Sequence, residues 1–86
     1  MKLAVEAITN LNAVQVLRTG ADAIRGGDAV IDFSAVTRCD SAAVACVLAW
    51  LRTARGAGRE LRLVSVPPDL TSLARLYGVE SLIPLS

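Results

Sequence analysis

Ten consecutive residues, Ala42 to Leu51, carry no charge. The run reads AAVACVLAWL, follows Asp40 and Ser41, and ends at Arg52. Val44, Val47, Leu48 and Leu51 recur at helical spacing, which predicts a helix from Ser41 to about Arg55 with those four as its inner stripe. A surface helix has one apolar stripe and one polar face. Here Ala42, Ala43, Ala45, Cys46, Ala49 and Trp50 leave almost no polar face over the first turns. Either other parts of the chain cover this helix or another protein does. Trp50 suits a core position and an interface hot spot about equally. An outward interface on this helix is the expectation carried forward.

The flanking segments give a framework. KLAVEAI reads as a short strand near a sheet edge. Thr9 and Asn10 or Asn12 are suited to cap a helix in which Val14, Leu17, Ala21 and Ile24 recur at helical spacing. RGG, Arg25 to Gly27, stops it. AVIDF, Ala29 to Phe33, reads as a central strand and SAVTRCD as a connecting loop. Gly56 and Gly58 end the apolar helix, and Arg59 to Val66 reads as another strand. In PPDLTSLARLYG, Pro68 fits a first helical turn and Asp69 its positive end. Leu70, Leu73, Ala74 and Tyr77 share its inner side, and Gly78 stops it. VESLIPLS adds a short terminal element. The order β-α-β-α-β-α predicts a small α/β domain, with a mixed, mostly parallel sheet and helices packed against it.

Composition narrows the functions. Eighty-six residues suit one domain, and a 53% hydrophobic content with 20% charged residues argues for a folded chain. The net charge is +1, Lys2 is the only lysine, and eight arginines are dispersed. With Phe33, Trp50 and Tyr77 as the only aromatics, neither a basic run nor a stacking ladder suggests nucleic acid. Cys39 and Cys46 are expected to be reduced, since one lies at the start of the apolar helix and the other inside it. No histidine accompanies them, so no metal or other cofactor is expected. MKLAVEAIT lacks a signal-peptide pattern, and the longest apolar run is short of a membrane span. The expected location is the cytoplasm, including its membrane face if the chain docks on a membrane complex.

Asp40 stands where a carboxylate caps the first turn of the apolar helix. Ser41 follows at its first position, where a hydroxyl can be structural, part of a contact surface, or a phosphorylation switch. A nucleophilic serine would need a base and an orienting group. The chain has no histidine and no GxSxG elbow, so no enzyme activity is expected. Thr37 and Arg38, in the loop before Asp40, can line the same patch.

The string VIDFSAVTRCDSAAVACVLAWLRTARGAGRELRLVSVPPDLTSLARLYGV resembles the STAS domain family, named for sulfate transporters and anti-sigma factor antagonists. A strand ending in DFS, a loop closing with DS, an apolar helix, a glycine turn, LRLVSV and a last helix follow in the family's order. VTRCDSAAVACVLAWL together with LTSLARLYGVESLIPL is most similar to the MlaB branch, small cytoplasmic STAS subunits of phospholipid-transport ABC complexes. The resemblance implies four or five helices around a small mixed sheet, in a single domain over residues 1–86. It leaves little room at the N-terminus for the family's usual first strand.

It also implies a noncatalytic role, with the transporter's ATPase subunit as partner. By the resemblance Ser41 and its flanks Thr37, Arg38 and Asp40 would be at the contact; the apolar outer face of the helix adds Ala42, Ala45, Cys46 and Ala49 as partner-binding residues, and a homodimer is compatible with the same face. The alternative implied by the family is an anti-sigma factor antagonist, with Ser41 phosphorylated by an anti-sigma serine kinase. Antagonists usually read DSSG, whereas this chain reads DSAA from Asp40, which favours a constitutive docking subunit.

Overall fold

The computed structural model describes residues 1–83. Three α-helices alternate with short strands: β1 (Ala7–Ile8), α1 (Ala13–Arg25), β2 (Val30–Asp32), β3 (Arg38–Cys39), α2 (Ser41–Gly56), β4 (Arg62–Val64) and α3 (Pro68–Leu76). A 3₁₀ turn, Glu80–Leu82, follows. Every strand pairing among the described residues is parallel: β1 with β3, β2 with β4, and a bridge from Lys2 to Asp32. The parallel α/β architecture therefore agrees with the reading of the sequence.

Details differ for local reasons. KLAVEAI is not one strand. Residues 1–3 run beside β2, with Leu3 N–H donating to Asp32 O at 3.0 Å, and Asp32 N–H to Met1 O at 2.8 Å. The chain bends at Glu6, whose carbonyl accepts from Thr37 N–H at 2.8 Å, and Ala7–Ile8 then pairs with Arg38–Cys39. The segment read as the loop SAVTRCD thus contains β3. The family-derived count of four or five helices is too high for residues 1–83. The chain after Gly78 closes only a single 3₁₀ turn there, and positions 84–86 of the expected terminal element lie outside the described residues.

The core explains the uncharged run. Ala43, Val44, Cys46, Val47, Trp50 and Ala54 of α2 are all buried, because α2 contacts both α1 and α3. Much of its apolar surface is covered by the domain itself. Leu48 and Leu51 are only half-buried. Trp50 is a core residue, 0% exposed, tilted against Phe33 at a ring separation of 6.2 Å. Its Nε1–H donates to Leu17 O at 2.9 Å.

On α1 the buried residues are Val16, Gly20, Ala21 and Ile24. Val14, one of the four residues at helical spacing, is 69% exposed, since the buried stripe runs through Val16 and Gly20 instead. Tyr77 is likewise not packed but 53% exposed, because α3 ends at Leu76 and the chain turns at Gly78 with φ 70°. Arg59, read as part of a strand, instead donates from Nη1 to the Ile24 carbonyl at 2.7 Å and closes the end of α1.

Candidate functional site

The start of α2 and two neighbouring loops converge on Asp40. Its backbone is extended, and its Oδ1 accepts from Ala42 N–H at 2.8 Å, which satisfies an otherwise orphan first-turn amide. Its Oδ2 accepts from Asn10 N–H at 3.1 Å, thirty residues away in sequence. Asp40 N–H donates to Ile8 O at 3.1 Å. One carboxylate therefore caps α2 and pins the β1–α1 turn beside it.

That turn is self-supporting. Asn12 occupies the N-cap position of α1, but its side chain reaches back: Oδ1 accepts from Thr9 N–H at 2.9 Å, and Nδ2 donates to Ala7 O at 2.8 Å. Thr9 Oγ1 accepts from Leu11 N–H at 3.2 Å. The predicted capping residues thus hold the turn and not the helix amides. Held this way, Leu11 stands 92% exposed at the rim of an open depression that Arg38 and Asp40 also line.

Ser41 is exposed at the first position of α2, and Ala45, one turn on, is exposed on the same side. Ala42 and Ala49 flank them half-buried, and Arg52 continues the outward face. Thr37 and Arg38 are exposed just before the helix, with Thr37 Oγ1 donating to Glu6 O at 3.4 Å. Thr37, Arg38, Asp40, Ser41, Ala42, Ala45 and Ala49 thus share the outer side of the loop and helix. Cys46 does not. It is 3% exposed, with its thiol 3.6 Å from Ala13 O, because the side of α2 it occupies packs on α1. Cys46 is a core residue and, contrary to expectation, no part of the partner-facing surface.

The thiols are free and poorly suited to nucleophilic work. Burial pushes the Cys39 thiol up to about 11, with the Asp69 and Asp40 charges adding to it. Burial also raises Cys46, with Asp40 adding to the effect. A thiol held protonated attacks slowly. Asp32 moves the other way: Ser34 N–H donates to its Oδ1 at 2.8 Å and holds its carboxyl below the ordinary range. This Asx turn ends β2 and carries the chain toward β3. Among the described residues no group of acids and cysteines is placed to hold a metal ion. None of the described helices is long and apolar enough to cross a membrane.

Three residues of this surface were missed in the sequence. Val14 and Arg18 of α1 line a groove against Ala49 and Thr53 of α2, and Leu11 precedes them. The signal was an apolar excess: Val14 is not needed for a buried stripe completed by Val16, Gly20, Ala21 and Ile24, and Leu11 is apolar in the turn before the helix.

A family profile described as "Mlab, STAS domain" matches residues 3–84. The chain belongs to the STAS domain family, in its MlaB type. A comparison with the curated proteins finds no significant match. STAS domains are generally noncatalytic regulatory domains, and the α/β architecture with Asp40 and Ser41 opening the central helix is consistent with one.

Proposed function

We propose that this STAS domain is a noncatalytic subunit that docks on, and regulates or stabilises, the ATPase of a phospholipid-transport ABC complex. The observation that carries the reading is the outer side of α2. Its inner side is filled by the domain, yet its outer side offers Ser41 and Ala45 exposed and Ala42 and Ala49 half-exposed. Small side chains let a partner helix approach closely. The MlaB type of the family supports the choice of partner. Control of the ATPase would require unequal affinity for two of its states, so the domain would favour the assembled arrangement by binding it more tightly.

The test is a pull-down from native membranes with the wild type, Ala45→Arg, Ser41→Ala and Ser41→Glu, with the ATPase identified by mass spectrometry. Ala45→Arg is expected to lose the ATPase while keeping the wild-type circular dichroism spectrum. Full retention of the ATPase by this variant sinks the reading. The anti-sigma antagonist reading draws on one observation, the exposure of Ser41 at the helix start, where a kinase can reach it. A phosphate there would meet the positive end of α2 but also the Asp40 carboxylate already bound to its first turn. Intact mass of the protein from cells separates the two: a phosphorylated Ser41 population favours the switch.

A further inference from the structure

The groove between α1 and α2 carries an uneven charge. The two helices hold four arginines, Arg18, Arg25, Arg52 and Arg55, against one acid, Asp22. The whole chain is only +1, so this pair of helices is the basic part of a nearly neutral molecule. Arg25 is paired with Asp22 at 3.4 Å, and Arg25 and Arg55 sit in last turns, where the helix dipole favours a cation. Arg18 and Arg52 have neither explanation. Both are exposed, and among the described residues neither makes an ion pair.

Their position has an order. The helices run in the same direction, since Ala13 O meets the Cys46 thiol and Leu17 O meets the Trp50 indole. Leu11, Val14 and Ala45 therefore stand toward the N-terminal ends of the pair, and Arg18 and Arg52 follow along it. The floor between them is made of small or half-buried groups, Leu17, Ala49 and Thr53. A surface that is apolar at one end and basic further along matches a helix of the inverse pattern.

We infer that the α1–α2 groove binds an amphipathic helix of the partner ATPase, seating its apolar side chains on Val14, Leu17 and Ala49 and its carboxylates against Arg18, which lines the groove, and Arg52, one residue before the lining Thr53. The inference rests on the docking reading above and adds the chemistry of the occupant and the contribution of α1. A concave floor suits a helix better than a flat lipid surface. The charge match commits the occupant to an acidic segment.

The test uses the full chain and a purified ATPase subunit of a phospholipid-transport ABC complex from the same organism. Arg18→Glu combined with Arg52→Glu changes only exposed side chains, and its thermal melt should match the wild type. It is expected to weaken ATPase binding by about tenfold or more, and wild-type binding should weaken as salt is raised. A photo-cross-linking amino acid at position 14 is expected to label an ATPase helix bearing Asp or Glu. Replacing those acids by arginine should restore binding to the double variant. Unchanged affinity of the double variant, or a cross-link to a segment without acids, overturns the groove while leaving the docking reading intact. Failure of the wild type to bind the ATPase at all overturns both. Sedimentation of the wild type, but not of the double variant, with phosphatidylglycerol–phosphatidylcholine vesicles would assign the arginines to lipid and also overturn the inference.

Discussion

The Trp50 indole lies against the bare backbone of Gly20. A Cβ built on Gly20 would come within 2.7 Å of Trp50 Cζ2, and closer still to Cε2 and Nε1. The ring cannot retreat easily, because it is wholly buried, tilted on Phe33, and hydrogen-bonded to Leu17 O. Glycine inside α1 is therefore the partner that Trp50 requires, and the contact sets how closely the two helices approach.

Gly20→Ala follows as the first test. Alanine gains about 1 kcal/mol in helix propensity. Overpacking a rigid core site loses about 1–3 kcal/mol, so a net loss of stability is expected. Urea denaturation should show a lower midpoint with little change in slope. A higher midpoint would mean that the indole moves aside freely, and the close approach of Trp50 to Gly20 would not be limiting.

Asp40 makes two different hydrogen bonds, and two substitutions separate them. Asp40→Ala removes both acceptors and should lose about 1 kcal/mol from the cap alone. Hydrogen exchange at Ala42 and Asn10 should quicken together. Asp40→Asn keeps one carbonyl oxygen for Ala42 but turns an NH₂ toward the Asn10 amide, so only Asn10 should lose protection. Equal protection of Asn10 in the Asn variant would show that the β1–α1 turn does not depend on this carboxylate.

Neighbouring residues on α2 should respond in opposite ways to the same change. Ala45→Arg places a charge in solvent and is expected to shift the thermal midpoint little. Cys46→Arg forces a charge into the contact with Ala13 and should abolish the cooperative transition or lower it severely. A folded, stable Cys46→Arg protein would contradict the packing of α2 on α1.

The helix boundaries and strand positions were legible where one signal governed them. Pro68 with Asp69, the glycine stops, and Asp40 before the apolar run all acted through local backbone chemistry. Reading which side of a helix is buried required knowledge of its neighbours. The sequence of α2 admitted either a partner or the domain itself as cover, and only the placement of α1 and α3 assigned Cys46 and Trp50 to the interior. Val14 failed because apolar spacing does not say where a stripe is already complete, and Tyr77 because α3 ends one residue before it. β3 was hidden because two residues carry no periodicity, and its pairing depends on Ala7 and Ile8, thirty-one positions earlier.

Cys39 supplies a test in alkaline solution. Its thiol is held at about 11 against an ordinary 9.0, chiefly by burial and then by the Asp69 and Asp40 charges. The unfolded thiol ionises first as pH rises, so the folded state loses relative stability from about pH 9 toward 11, and none is lost from this source at lower pH. Cys39→Ser removes the ionising group and should flatten part of that alkaline decline in urea midpoints, Cys46 accounting for a further share. Alkylation by iodoacetamide gives an independent reading, since only the thiolate reacts. The rate at Cys39 should keep rising through pH 9 in the folded protein. A plateau near pH 9 would mean that the thiol is solvated like a free one and that β3 does not bury it.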